Sequence, residues 1–433
     1  MQAVVSWVEG ADGSPYGLQN LPYGAYVVAA ADHPGAGTEA RVPRLGVRIG
    51  DKVLDLGAAA RTRNHPDAKV LSRPSLNAFM AGGPPAWHRV REALVTWLSV
   101  PDLRPEVEPH LVPLEEVSML LPFEVADYVD FYASEQHATN VGRIFRPESP
   151  SLPSSWRHLP IGYHGRSGTV CVSGTPVLRP SGQRRPPTGG GAVAGRATGG
   201  GAGGVPPGPV FGPCGELDFE AEVGFVVGAG STLGEPVALG QWRRHVFGVV
   251  LVNDWSARDI QSFEYVPLGP FLGKSFLTSV SSWVVPIDAL DEAATAPPPR
   301  DPPLLSHLDD SSEPPAGLDI RLEVSLNGEV ISRPPFATMY WTAAQQVTHM
   351  TSNGASLRTG DLFASGTVSG QAATQWGSLL ELAWRGEHPI ELGEGERRSF
   401  LEDGDTLVIT ATAPGPDGTT IGFGEVAGTV VAA

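Results

Sequence analysis

The sequence predicts a mostly β protein, a β-rich α+β fold in which a small barrel-like domain precedes a larger, mostly β one. Three observations carry this expectation. Apolar and polar residues alternate with a period of two in several short runs, Asp218 to Val227 being the longest. Turn-forming residues are abundant, with 53 Gly and 41 Pro among 433 residues. Helical spacing is confined to few segments, chiefly Trp87, Val90, Leu94, Trp97 and Leu98 ahead of Pro101.

In chain order, Arg44 to Gly50 and Asp51 to Leu56 read as two short strands around a Gly50-Asp51 turn. With the helix through Trp87 and Leu98 they make a small domain over residues 1–118, and residues 119–433 make the larger one. There, Asp218 to Val227 is expected to be a half-buried strand with Asp218, Glu220 and Glu222 on one face. Val246 to Val252 is apolar throughout, as a strand buried on both faces requires, and it stops at Asn253-Asp254. Leu318 to Ile331 is a hairpin turning at Asn327-Gly328. Tyr340 to Met350 is helical, and three further strands are expected at Ser378 to Ala383, Thr406 to Thr412 and Gly424 to Val431. No repeat of 20 to 50 residues occurs.

Composition narrows the function classes. Thirty basic against 47 acidic residues leave a net charge of −17, which argues against nucleic acid or an anionic membrane as partner. Two cysteines, Cys171 and Cys214, make no disulfide framework and suit a reducing cytoplasm. The first residues have no basic start or apolar stretch of a leader, and nowhere do 18 apolar residues run uninterrupted. The stretch 187–210 is dominated by Gly and Pro and reads as a flexible surface insertion; no GK[ST] follows to make it a phosphate loop.

Four polar clusters could carry chemistry. Glu220 and Glu222, two apart on a strand, project from one face, which alone would suit a solvated surface. Asp254 shifts that balance, because a carboxylate leaving an apolar strand needs a partner or a metal, and an all-oxygen set selects Ca²⁺, Mg²⁺ or Mn²⁺ over zinc. Asp127 to His137 packs two Asp, two Tyr and a His into eleven residues. Tyr163-His164-Gly-Arg166 combines the same polar density with glycines that admit a close backbone approach. Lys274, one of three lysines in the chain, lies in apolar surroundings where an ammonium should be paired or functional.

The strings DYVDFYASEQHATNVG, LPIGYHGRSGTVCVSGTP, NDWSARDIQSFEYVPLGPFLGKSF, LRTGDLFASGTVSG and IGFGEVAG closely resemble the fumarylacetoacetase family. The match spans nearly the whole chain, including Asn20 to Gly24 and the Arg44 to Leu56 hairpin; the Gly-rich stretch, longer and simpler than the family's linker, is the departure. The resemblance implies an SH3-like N-terminal barrel and a mixed β-sandwich or β-roll catalytic domain. It implies hydrolysis of a carbon–carbon bond in a diketo-diacid, the last step of tyrosine and phenylalanine degradation, by a cytoplasmic homodimer holding Ca²⁺ or Mg²⁺. The residues matching the family's metal ligands are Asp130, Glu220, Glu222 and Asp254, with Lys274 and Thr278 at a second, structural Mg²⁺ site. His137 matches the general base, Glu381 the carboxylate that orients it, and Arg258, Gln261 and Lys274 the oxyanion-stabilising groups. Tyr132, Arg146, Tyr163, Gln261, Tyr265 and Thr367 match substrate contacts. Rivals within the same superfamily are acylpyruvate hydrolases, isomerases and decarboxylases; a rival outside enzymes is a β-rich module that holds calcium for structure.

Overall fold

The computed structural model describes residues 4–28, 42–186 and 208–433. The Gly-rich insertion expected over 187–210 lies almost wholly outside the described residues.

The N-terminal unit is a five-stranded antiparallel sheet ordered Leu111–Pro113, Lys52–Asp55, Arg44–Ile49, Tyr23–Val28, Val117–Leu120. Its central hairpin turns at Gly50, where φ is +59°, a conformation glycine adopts without steric cost. Asp55 ends the Lys52–Asp55 strand and begins the helix Leu56–Thr62, because its carboxylate accepts from the Ala58 N–H at 2.8 Å. The helix Gly83–Ser99 follows the expected spacing and buries Trp87, Val90, Leu94, Trp97 and Leu98.

The larger unit is built on a mixed sheet. Its main path runs Gly162–His164, Tyr128–Phe131, Leu362–Ala364, Ala221–Val227, Val246–Asp254, Thr278–Val280, Val170–Val172. A second sheet runs Glu329–Ser332, Arg321–Leu326, Thr406–Pro414, Thr420–Val431, Val177–Leu178. The Arg321–Leu326 hairpin turns where expected, with Asn327 and Gly328 both at positive φ, +52° and +84°. The helix expected over Tyr340 to Met350 is Ala343–Thr351, closed by a capping box between Thr342 and Gln345.

Two expectations are corrected. Ala221–Val227 is buried at every residue instead of half-exposed. Val223 and Phe225 pack toward the second sheet, whereas Val226, with Phe247, Val250 and Val252 of the next strand, packs into a core shared with the N-terminal unit. Ser378 to Ala383, expected to be a strand, holds the short helix Leu379–Leu382. Ser378 caps it, accepting from the Glu381 N–H. The Ser-Leu-Leu-Glu spacing is a helix-start signature that outweighs the apolar run's resemblance to a strand.

The two units are not merely tethered. Phe247 meets the rings of Tyr23, Phe79 and Trp87 with centroids 5.3–5.5 Å apart, and Tyr23 bridges to Val284 by reciprocal backbone hydrogen bonds of 2.9 and 2.7 Å. Replacing Phe247 with Ala should therefore cost about 3–5 kcal/mol in urea unfolding, since three rings from the other unit lose their common neighbour. A cost below about 1 kcal/mol would mean the shared core contributes little to stability.

Candidate active site

Strand register brings the acids together. Asp130 lies on Tyr128–Phe131, Glu222 on Ala221–Val227, and Asp254 is the last residue of Val246–Asp254. Ala221 pairs with Asn253, and the Asp254 N–H donates to the Glu220 carbonyl at 3.2 Å, so the Glu220 and Asp254 side chains stand side by side. Period two then places Glu222 on the face of Glu220. The four carboxylates offer oxygens that all lie within 4.8 Å of one another, and all four residues are buried.

Basic and hydroxylic groups surround this cluster. Lys274 Nζ donates to Glu220 Oε2 at 2.6 Å and to Asp254 Oδ2 at 2.8 Å. Tyr163 Oη and Thr278 Oγ1 also donate to Asp254, at 2.8 and 3.2 Å. Arg258 Nη1 lies 2.6 Å from Glu220 Oε1, and its Nε donates to Asp218 Oδ2 at 2.8 Å. Gly273 lets Lys274 reach inward, because a Cβ there would meet the Gln261 backbone at 2.8 Å.

The charge balance is uneven. Burial would raise the Glu220 carboxyl, but Lys274 and then Arg258 outweigh it and hold the group well below the usual carboxylate range. Glu222 and Asp130 have no such protection. Burial, then Asp130 and Glu220, push Glu222 well above its ordinary value, and burial followed by Asp254 does the same to Asp130. Oδ1 of Asp130 and Oε1 of Glu222 are buried and accept no hydrogen bond. Carboxylate oxygens converging from four residues, two of them without a hydrogen-bond partner, are a donor set for a hard divalent cation such as Ca²⁺ or Mg²⁺.

Beside the acids, Ser134 caps the helix Glu135–Phe145 and accepts from the His137 N–H at 3.2 Å, which fixes His137 in the first turn. His137 Nδ1 is 2.7 Å from Glu381 Oε2. Glu381 is fully buried and accepts further bonds of 2.9 Å each from Asn140, Ser369 and Ser378. Burial alone would raise this carboxyl, yet His137, Asn140 and Ser378 hold it below its ordinary value. The Tyr132 ring stands edge-on to the imidazole, with centroids 5.3 Å apart.

A cavity of about 460 Å³ opens onto these groups and is lined by Asp130, Glu220, His137, Arg258, Lys274, Gln261, Tyr132, Arg146, Tyr163, Tyr265 and Thr367, with Phe145, Val141 and Pro267 as apolar walls. Tyr265 is partly exposed at its mouth. Thr278 lines, with Asp254, a neighbouring cavity of about 250 Å³ that shares Tyr163, Pro270 and Lys274 with the first. There the Lys274 side chain is an ammonium donor between two carboxylates. Asn140, Ser369 and Ser378 were not singled out from sequence, and Asp218 was read only as part of the acidic strand face. Asn140 lies one helical turn beyond His137, and Ser378 precedes Glu381 at capping distance, so both had a spacing signal.

Residues 127–431 match the family model described as fumarylacetoacetate hydrolase C-terminal, and residues 19–122 the model described as fumarylacetoacetase N-terminal. The chain is 44% identical to the fumarylacetoacetase of Homo sapiens, covering 99% of each chain. It is 40% identical to that of Dictyostelium discoideum, covering 100% of this chain and 99% of the relative. The solved fumarylacetoacetate hydrolase of Exiguobacterium antarcticum superposes with a TM-score of 0.52 at 15% identity, over 95% of this chain and all of the other, a likeness of fold.

The donor geometry makes cation binding measurable. Added Ca²⁺ or Mg²⁺ should raise the melting temperature, and Glu222→Gln should weaken the calorimetric affinity by at least about tenfold. Parent-like affinity in that variant would remove Glu222 from the donor set.

Proposed function

The chain belongs to the fumarylacetoacetase family, and from that premise we propose that it hydrolyses a carbon–carbon bond of 4-fumarylacetoacetate to give fumarate and acetoacetate. The observation that carries the assignment to residues is the buried His137–Glu381 pair, whose imidazole lines the same cavity as Asp130 and Glu220 of the four-carboxylate cluster.

The substrate is a 1,3-diketone with a carboxylate at each end. Water must attack the ketone next to the fumaryl group, and the acetoacetate half must leave as a carbanion. In this reading Glu381 holds the Nδ1–H of His137 and leaves Nε2 to take the proton from water. The hydroxide adds to the ketone carbon, and the resulting oxyanion is met by Arg258, Lys274 and the Gln261 amide. The carbonyl then re-forms, the carbon–carbon bond breaks with its electron pair on the leaving half, and the His137 imidazolium returns its proton to that carbon. A divalent cation held by Asp130, Glu220, Glu222 and Asp254 would supply Lewis-acid stabilisation of negative charge on substrate oxygens. Tyr132, Arg146, Tyr163, Tyr265 and Thr367 would orient the two arms of the diacid. The second Mg²⁺ site at Lys274 and Thr278 would draw on backbone oxygens, because an ammonium donates and cannot ligate a cation.

The wider family context belongs to the same reading: a cytoplasmic homodimer acting in tyrosine and phenylalanine catabolism, divided near residue 118 into a small SH3-like unit and a catalytic one. A calcium site kept for structure alone would have no use for a base oriented by a buried carboxylate.

Loss of the diketone's ultraviolet absorbance should be seen with purified protein and should fall when a chelator is added. His137→Gln should lower turnover by about 10²–10⁴-fold while the variant stays folded and binds cation. Near-parent activity in that folded variant would refute the role given to His137.

A further inference from the structure

Resting on the hydrolytic reading above, we propose that Asp218 is a positioning residue whose single carboxylate holds Arg258 and the Glu381–His137 pair in one frame. Asp218 is fully buried, and it neither belongs to the four-carboxylate cluster nor lines the cavity. Its Oδ2 accepts from Arg258 Nε at 2.8 Å and lies 2.8 Å from Nη2. The same oxygen accepts the Leu380 N–H at 3.0 Å, and Oδ1 accepts the Leu379 N–H at 2.7 Å.

Leu379 and Leu380 open the four-residue helix that carries Glu381. The first N–H groups of a helix have no partner within it, and a helix this short does not hold itself together. Its opening donors end on Asp218. One arm of this carboxylate therefore orients the guanidinium that meets the oxyanion, and the other seats the turn whose carboxylate fixes the tautomer of His137. The two arms differ in kind: one opposes a buried positive charge, and the other satisfies backbone donors. An asparagine has the same shape but carries no charge and puts an NH₂ in place of one acceptor oxygen, so it cannot both oppose the guanidinium and accept the two helix-opening N–H groups.

The test uses the full-length, cation-loaded protein and the ultraviolet assay. Asp218→Asn should lower kcat by about a hundredfold, the scale of losing one oxyanion donor, with KM within about threefold of the parent. In an Arg258→Met background the guanidinium arm is already absent, so Asp218→Asn should lower kcat further, but by less than in the parent. An equal loss in both backgrounds would overturn the Arg258 arm, and no further loss in Arg258→Met would overturn the Glu381 arm. If Asp218→Asn alone fails to fold because Arg258 is left under-compensated, the double variant removes both charges. Its kcat should still lie below that of Arg258→Met, and equality would refute the proposal. An active parent with a folded, cation-loaded Asp218→Asn at parent kcat refutes this inference alone. A parent that does not hydrolyse the diketone refutes the functional reading, and this proposal with it.

Discussion

Five buried carboxylates, Asp130, Asp218, Glu220, Glu222 and Asp254, share two buried basic side chains, Arg258 and Lys274. Taking an ionised group out of water is costly unless it is paired and hydrogen-bonded, so this imbalance is the constraint to which the surrounding structure answers. Glu220 is paired twice, Asp254 takes one ammonium and two hydroxyls, and Asp218 takes a guanidinium with two helix-opening N–H groups. What remains is the excess on Asp130 and Glu222, each with a buried oxygen that accepts no hydrogen bond, and a divalent cation fits that remainder in charge and donor type. The acidic cluster is thus left incomplete by its own partners, whereas both oxygens of Glu381 are satisfied without it.

Much of this was legible in the sequence, for physical reasons that differ by element. The Asp254 strand was readable because the run from Val246 to Val252 carries no polar side chain, as burial on both faces favours. The Asn327-Gly328 turn was readable because two successive positive φ values leave few residue choices. The acidic face of Ala221–Val227 was misjudged as half-exposed because alternation reports which side chains share a face, not what covers that face. The cover arrives from the N-terminal unit and from Lys274, both far away in sequence. The helix at Leu379–Leu382 was missed although its capping spacing was present, since four residues show no periodicity. Asp218 was read only as an acidic-face residue because its partners are a residue 40 positions on and two backbone groups more than 160 positions on. Bringing Glu381 to His137 across 244 positions likewise came from the family resemblance and not from spacing.

The net charge of −17 also reads differently beside the site. A diacid substrate is met not by the average field of the surface but by Arg146, Arg258 and Lys274 on one cavity wall, with the carboxylate excess turned toward a cation position. Scarce lysine makes the single inward-facing one informative: its ammonium sits where three requirements meet, pairing Glu220, pairing Asp254 and facing the cavity.

The core shared between the N-terminal sheet and the Val246–Asp254 strand has a consequence for how the chain is made. Tyr23 and Phe79 are synthesised well before Phe247, the residue whose ring they pack against. At about 5–20 residues per second, the apolar back of the N-terminal sheet leaves the ribosome roughly 10–45 s before its counterpart exists. During that interval the early unit has no native surface to close on, and its aromatic face is open to whatever else is nearby. The vulnerable moment of this protein's life is therefore set by gene order, with the first-made part waiting for the middle of the chain.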